Sequence, residues 1–418
     1  MRVAVVVENT KWTSPGGVPY DVTVRIGGKE VFARKQVGAW PAAEMGGRYA
    51  TYRGHPRGTR WVKRFWIGPK LDAVHVRYDR TYLNKTGLVL RYDTKLKVPE
   101  KALAETAAWW AKSPTAILQR GLLVAYFGGT GGRPEIGPLP RWTTRYICSQ
   151  DPRLKAVTWG SGDLSGSCPV HIRDPKNGWF ISVDDYPEYA FNNAATRFRK
   201  KPRDTTGTPW IIAKGSYFSV DSAHQASLAY VPYLLSGDFY YLEEMGFWAA
   251  RNMVQLNYAY RKRARAIITG QVRGVAWALR NHVHAAALYP DGSRGKAYFE
   301  AKLDSNLEYH KAHATAPDAS PLGIFKWGAR YAYTSGAAWR SMPRRYYSMA
   351  GWMHNFLAWA FGHIADHGYE KAKPTRDYLM TFSVGLAAHP KEISPYSSIA
   401  YFVFVGENPP EKGKPTGW

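Results

Sequence analysis

The chain has 418 residues, of which 45% are hydrophobic and 15% aromatic, enough apolar surface for a large core spread over two domains. This composition excludes a largely disordered chain, and the presence of only two cysteines excludes a disulfide-rich scaffold and a cysteine zinc site. Lysine and arginine number 57 against 32 acidic residues, a formal charge of +25, so a polymeric partner is expected to be anionic.

The positive charge is spread along the chain, with short basic runs only at 197–203 and 261–266. We therefore expect an acidic polysaccharide as the partner and do not expect nucleic acid. No apolar run approaches the ~18 residues of a membrane span, and the apolar run in MRVAVVVENT is too short for a signal peptide. Oligomeric state and location stay open: extracellular or periplasmic if a leader has been removed, otherwise intracellular or phage-associated.

The first hundred residues alternate apolar and polar residues with a period of two, which predicts short strands. The predicted strands are VAVVVEN, YDVTVRI, EVFARKQV, DAVHVRYDRTYL and GLVLRYDTKLKV. Turn signals separate them, as is typical of an antiparallel β-sandwich. A helix, EKALAETAAWWAK, then a strand, GLLVAYFG, and a Gly/Pro-rich linker follow. We place the boundary of this first domain at residue 137.

Residues 138–385 contain helices in pairs, interrupted by a loop-rich insertion at about 166–218. The predicted helices are RWTTRYICSQ with DPRLKAVTWGSG, the two halves of 221–257, the segments on either side of 289–292, and those on either side of His367-Gly368. The breaks between helices follow no short repeat, so a tandem solenoid is not expected. Hairpins of unequal length instead favour an α/α-toroid, with a ring that is either complete or open. Residues 386–418 add one strand and a polar tail. The predicted class is therefore α+β multidomain.

One helical pair meets at Ser236-Gly237-Asp238. Gly237 suits the left-handed position that ends a helix, and Asp238 suits the cap of the next one. The surrounding YLLSGDFYYLEEM resembles the Leu-Leu-Thr-Gly-Asp hairpin of the six-hairpin glycosidase superfamily, over roughly residues 138–385. With its N-terminal β-region, the chain is similar to exo-acting rhamnogalacturonan lyases. This resemblance implies the toroid fold and indicates little about the reaction. The acidic pair of unsaturated glucuronyl hydrolases and the Asn-Trp-Trp segment of chondroitin-type lyases have no counterpart here.

Four residues of the predicted helix 269–289 share one face, which we call the basic stripe: Arg273, Trp277, Arg280 and His284. In a sugar cleft, the tryptophan would stack on a pyranose ring, the arginines would neutralise a carboxylate, and the histidine would move a proton. The alternative is an outer face in solvent. Asn281 borders the stripe and joins the predicted substrate-binding residues, whereas His282 lies opposite and is expected to be a hydrogen-bonded core histidine.

Two further histidine positions are candidates for the site. His224, at the head of the predicted helix that leads to Gly237, is a catalytic candidate, with Gln225 beside it as a substrate contact and Asp221 as the cap. Tyr347 and His354 fall seven residues apart on a helix predicted to begin at 344, which suits an acid and a substrate-binding group. Each of these patterns is equally typical of ordinary helix packing.

β-Elimination is favoured over hydrolysis because glycoside hydrolysis needs two carboxyl groups across the cleft. The acidic residues of this region, Asp221, Asp238, Glu243 and Glu244, are interpreted as caps or first-turn residues. The prediction is a polysaccharide lyase without a metal or other cofactor. The histidines show no zinc spacing, and calcium stays open although no DxDxDG loop is present. A six-hairpin glycoside hydrolase and a non-catalytic carbohydrate-binding or structural protein are the alternatives.

Overall fold

The computed structural model describes residues 2–10, 17–38, 54–68, 76–124, 132–186, 218, 220–254, 265–268, 271–325, 346–400 and 403–407. It divides into two compact units, Met1–Leu256 and Asn257–Trp418. Each unit contains helices and antiparallel strands, so the predicted α+β class is confirmed. The predicted boundary near residue 137 falls inside the first unit. The basic run at 197–203 and most of the predicted insertion lie outside the described residues.

The described residues of the first unit form two antiparallel strand pairs. Strand β1 (Arg2–Asn9) pairs with β4 (Thr59–Trp66), while β2 (Tyr20–Ile26) and β3 (Lys29–Val37) form a hairpin. The hairpin turns at Gly27-Gly28, and both glycines have positive φ, as a tight two-residue turn requires. Three predicted strands are thus confirmed. Strand β4 was not predicted, because its arginines and lysine interrupt the alternation of apolar and polar residues.

Three further strand predictions were wrong over the residues that the structure describes. Residues 72–75 of the first of them lie outside the described residues. Within 72–83, helix α1 (Arg80–Lys85) forms because the Asp79 carboxylate accepts hydrogen bonds from the first backbone N–H groups of the helix. Residues 87–98 form bends and turns. Their backbone carbonyls accept from side chains instead of a neighbouring strand: Asn84 donates to Tyr92, and Arg80 donates to Thr94. In 121–128, the four described residues, 121–124, form a turn and not the predicted strand.

Five described helices of the first unit overlap segments that were predicted to be helical. They are α2 (Glu100–Ala111), α3 (Arg141–Ser149), α4 (Pro152–Leu164), α5 (Tyr230–Ser236) and α6 (Phe239–Val254). Between α5 and α6, Gly237 has φ 63°, and the Asp238 carboxylate accepts from the backbone N–H of Tyr240 at 3.1 Å. The predicted turn is therefore confirmed. Helix α5 begins later than predicted, so Asp221, His224 and Gln225 precede it in a turn.

A buried ion-pair network joins the strands to the helices in the first unit. The Arg60 guanidinium of β4 is fully buried and donates to Glu244 at 2.6 Å and to Glu243 and Glu8 at 2.8 Å each. Burial alone would raise the pKa of Glu244, but the charges of His171 and Arg60 lower it to about 2. Glu244 was interpreted as a first-turn residue. That interpretation was wrong, because its carboxylate is a central acceptor of this network.

His171 and Arg173 complete the network. Its Nε2 lies 3.0 Å from the Glu244 carboxylate and its Nδ1 lies 3.0 Å from the Gly58 carbonyl. Both partners are acceptors, so both ring nitrogens must carry hydrogen to form both bonds. Arg173 adds a second guanidinium, bonded to Glu8 at 2.7 Å and Glu243 at 2.8 Å. Three positive groups then face three carboxylates.

Where the structure describes the second unit, it has two helical hairpins and one strand pair. The helices are α7 (Val272–Leu288), α8 (Arg294–Ala314), α9 (Gly351–Asp366) and α10 (Lys373–Ala388). Helix α7 packs against α8 and α9, and α9 also packs against α10. Strand β5 (Tyr346–Met349) pairs with β6 (Val403–Glu407), which confirms the predicted C-terminal strand. Among the described helices, none is long and apolar enough to cross a bilayer.

The start of α9 corrects one prediction. The helix that was predicted to begin at 344 begins at Gly351, after strand β5. Tyr347 lies in that strand and pairs with Gly406, so it does not share a helix with His354. The segment Tyr346–Met349 contains aromatic residues but no β-branched residue. Its partner strand lies more than 50 positions later in the chain, so a local pattern does not reveal the pairing.

Candidate functional site

Asp221 and His224 form a carboxylate–imidazole pair in the turn before α5. The Nδ1 of His224 lies 2.8 Å from Asp221 Oδ1 and 2.9 Å from Oδ2, and the backbone N–H of His224 donates to Oδ1 at 2.9 Å. These contacts fix the ring and place hydrogen on Nδ1, which makes Nε2 the basic nitrogen. The His224 side chain is 4% exposed and that of Asp221 is 35% exposed, so the pair lies at the edge of the core.

Charged residues of the first unit act on this pair. The negative charge of Asp221 acts on both Arg133 and Arg251, and the Arg133 guanidinium lies 3.1 Å from the buried Glu135 carboxylate. Burial lowers the pKa of Arg251 to about 10, with Asp221 opposing that shift, so the guanidinium stays charged at neutral pH. Two guanidinium groups of the first unit are therefore close enough to Asp221 to interact with its charge.

Gln225 is held in place by its neighbours. It is fully buried, its amide nitrogen donates to the Ser222 carbonyl at 2.9 Å, and its amide oxygen accepts from Asn252 at 2.9 Å. This chain ties the turn that carries His224 to helix α6. Its predicted contact with substrate stays a prediction.

The basic stripe of α7 lies in a helix–helix interface of the second unit. Trp277 contacts Phe356 and Trp359 of α9, with ring centroids 4.7 and 6.0 Å apart, and the Arg273 guanidinium lies 5.1 Å from the Trp352 ring centre. The four stripe residues are between 0% and 3% exposed. Their common face is thus confirmed, and that face is not in solvent. Stacking of a sugar on Trp277 would require the α9 side chains to move, so the substrate role stays a prediction.

Arg280 is the most strongly desolvated cation of the stripe. Its guanidinium lies 4.9 Å from the Trp277 ring centre, and its Nε donates to the Asn281 side chain at 3.2 Å. Burial lowers the pKa of Arg280 to about 9. The contact with the ring face replaces part of the lost hydration. Asn281, predicted as a substrate contact, is 5% exposed and orients this guanidinium.

His282 and His354 each join two neighbouring helices. The Nε2–H of His282 donates to the Phe299 carbonyl of α8 at 2.9 Å, and that of His354 donates to the Leu379 carbonyl of α10 at 2.9 Å. Both rings are buried, and burial lowers the pKa of each to about 4. The prediction of a hydrogen-bonded core histidine is confirmed for His282. For His354 the structure gives a packing role, and the predicted substrate contact stays a prediction.

His284, the last residue of the stripe, faces two further histidines. His363 lies in α9, and His367 lies at the C-terminal end of that helix. Its Nε2 lies 3.0 Å from Nε2 of His363, and one ligand atom from each of His284, His363 and His367 lies within 4.8 Å of the other two. His284 and His363 are buried, and His367 is partly exposed. Burial lowers the pKa of all three, and their mutual repulsion lowers those of His284 and His363 further. We call this set the histidine triad.

Sequence reasoning selected one member of the triad and missed the other two. A signal was present, since His363 and His367 are four residues apart and therefore neighbours on a helix. The third ligand is 79 positions away and on a different helix, which a spacing rule for one helix cannot find. Arg133 and Arg251 were missed for the same reason. Comparison with protein-family models, curated proteins and solved structures found no match to this chain, so the six-hairpin resemblance stays a prediction.

Proposed function

We propose that the protein binds an acidic polysaccharide and cleaves it by β-elimination, with His224 as the base. The observation that supports this is the Asp221–His224 pair, in which the carboxylate holds Nδ1–H at 2.8 Å and leaves Nε2 as the basic atom. A carboxylate in this position fixes the tautomer and stabilises the imidazolium that forms on proton uptake. His224 is 4% exposed and Asp221 is 35% exposed, so a sugar would approach the pair from the side of Asp221.

The reaction needs a base and a tolerance for negative charge. His224 Nε2 would take the proton α to a uronate carboxyl group. The electron pair of that C–H bond forms the new double bond, the bond to the leaving oxygen breaks, and the imidazolium of His224 returns its proton to that oxygen. Arg133 and Arg251 interact with Asp221, and their positive charge would favour a uronate carboxylate at this site. The formal charge of +25 favours an anionic polymer further.

The finer architecture belongs to the same proposal. A β-sandwich followed by an α/α-toroid accounts for the N-terminal strand pairs and for the successive hairpins α3–α4, α5–α6, α7–α8 and α9–α10. The described strands form pairs rather than the larger sheets of a sandwich. The proposal is therefore supported by the order of the elements and by the hairpins, and an experimental structure would test it.

The experiment is incubation with pectic, alginate, glycosaminoglycan and ulvan-type polymers, with and without calcium, followed by ultraviolet absorbance of the unsaturated uronate. We expect absorbance to rise with one of these polymers. His224→Gln should abolish the rise because glutamine cannot take up the proton, and Asp221→Asn should lower it by about 100-fold or more. His55→Gln is the matched control, since His55 is a buried histidine of the same unit bonded to Tyr20 and Thr59.

Three other outcomes would refute the proposal. Reducing ends without an unsaturated product would indicate a glycoside hydrolase. Binding of a polymer without cleavage would indicate a carbohydrate-binding or structural protein. An elimination that His224→Gln leaves intact, in a variant whose circular dichroism matches the wild type, would move the base to another residue.

A further inference from the structure

The histidine triad brings three imidazoles together at one end of two packed helices. His284 lies in the last turns of α7, His363 lies in the last turn of α9, and His367 directly follows α9. The ring centroids of His363 and His367 are 4.3 Å apart, and those of His284 and His363 are 5.2 Å apart. Such a group is not required for helix packing, because His282 and His354 each pack alone against a backbone carbonyl in the same unit.

Neighbouring groups orient two of the rings. The Nδ1–H of His367 donates to the His363 carbonyl at 2.8 Å, which leaves Nε2 as the atom with a lone pair. The His363 ring stacks on Trp359 with an angle of 19° between their planes. Metal-bound histidines in proteins are held in this manner, with the second ring nitrogen on a carbonyl or carboxylate. The rings therefore have a support that extends beyond the triad.

We propose that His284, His363 and His367 form a binding site for one divalent transition-metal ion, with zinc as the natural occupant. Three imidazoles with an open fourth position match the ligand set of catalytic zinc sites, and imidazole is a preferred ligand of zinc, copper and nickel. The proposal concerns the second unit and is independent of the reaction proposed for the first.

The spacing fits a tetrahedral ion after a small movement. Zinc–nitrogen bonds of about 2.05 Å at the tetrahedral angle place two ligand nitrogens about 3.3 Å apart. The Nε2 atoms of His284 and His363 are 3.0 Å apart. The largest separation in the triad is at most 4.8 Å, so the third ring must approach by about 1.5 Å at most. His367 can do so because it is partly exposed and lies before Gly368, whose φ of 91° ends the helix.

One cation lies beside the triad on α7. Arg280 and His284 are four residues apart on this helix, and both are buried. Arg280 opposes the site, since its charge acts on His284 and His363. We expect the ion to carry an anionic fourth ligand such as hydroxide, which offsets this repulsion.

The test is titration of the metal-free full chain, without a histidine tag, with Co²⁺ as a spectroscopic substitute for Zn²⁺. The wild type should bind one Co²⁺ with visible d–d absorption typical of four-coordinate nitrogen and oxygen ligands, and Zn²⁺ should displace it. His367→Gln should weaken binding by more than about 100-fold, because loss of an outer-shell partner alone costs 10- to 100-fold. This variant alters a partly exposed ring, so its fold should persist.

Two controls make the result specific. His282→Gln changes a buried histidine on the same helix, two residues from His284 but facing α8, and should keep the Co²⁺ spectrum. Zn²⁺ should raise the melting temperature of the wild type and of His282→Gln, and it should not raise that of His367→Gln. Absence of a d–d spectrum in the wild type would overturn the proposal, and so would equal Co²⁺ affinity of the wild type and His367→Gln.

Discussion

Lowering the pH from about 8 to about 5 should destabilise the second unit, because three of its histidines are buried in the neutral form. His282, His310 and His354 are fully buried, and burial lowers the pKa of each to about 4. In the unfolded chain a histidine has its ordinary pKa of about 6.5. Between these values the unfolded chain binds more protons, so the stabilisation is complete above about pH 6.5 and falls as the pH decreases.

The loss of unfolding free energy follows from the difference between the assay pH and the pKa of the unfolded histidine. About pH 5 lies 1.5 units below the unfolded pKa, and each unit corresponds to 1.36 kcal/mol, so each histidine costs about 2 kcal/mol there. The three histidines together lower the free energy of unfolding by about 6 kcal/mol, which is comparable with the whole stability of many domains. Glu8 and Glu244, with pKa values lowered to about 2, add nothing in this window because their contribution is lost only below about pH 4.5.

The assay is urea unfolding of the wild type and His354→Gln at both pH values, in the presence of a chelator. Glutamine can still donate to the Leu379 carbonyl but cannot take up a proton. The difference in unfolding free energy between wild type and variant should therefore shift by about 2 kcal/mol between the two pH values, in favour of the variant at low pH. His389→Gln, at a side chain that is 62% exposed, is the control. An equal difference at both pH values would refute this reasoning.

Two further predictions concern the first unit and the helix ends. Glu244→Gln should lower the free energy of unfolding by about 3–5 kcal/mol, because it removes the carboxylate that pairs with the buried Arg60 and His171. Glu100→Gln removes an exposed partner of Arg153 and should change the urea midpoint little. Equal effects of the two substitutions would contradict the prediction. Gly237→Ala should cost about 1–2 kcal/mol because of its φ of 63°, whereas Gly385→Ala inside α10, where an added methyl meets open space, should stabilise by about 0.5–1 kcal/mol. Thermal unfolding that shifts both glycine variants in the same direction would contradict the second prediction.

The helical hairpins were predictable because their signals are local. Gly237 and Asp238 occupy neighbouring positions, and each acts on the backbone within one turn of its own place in the chain. The strand predictions at 72–83 and 87–98 failed because alternation reports only a half-buried surface. Whether such a segment pairs depends on a partner strand, and here side chains such as Arg80 and Asn84 satisfy the carbonyls first.

The members of the basic stripe were predictable from the sequence, but the surroundings of the stripe were not. Helical phase placed Arg273, Trp277 and Arg280 on one face of α7, and the structure agrees. What that face contacts depends on α9, which begins more than 60 positions after the last of these residues. The pattern on α9, with Trp352, Phe356, Trp359 and His363 at intervals of four, three and four residues, is the complementary apolar stripe. A cation over an aromatic ring is stable in a core, so a basic stripe alone did not distinguish a cleft from an interface.

The ion-pair network around Arg60 has a consequence for how the first unit folds. Arg60 and Glu244 are 184 positions apart, so this bond forms only after a very long segment of chain has been closed. Opening β4 alone would leave Glu244 in an apolar interior without its guanidinium, a state of high free energy. Strand β4 and helix α6 should therefore exchange their amide hydrogens as one cooperative foldon, even though they belong to opposite ends of that unit's sequence.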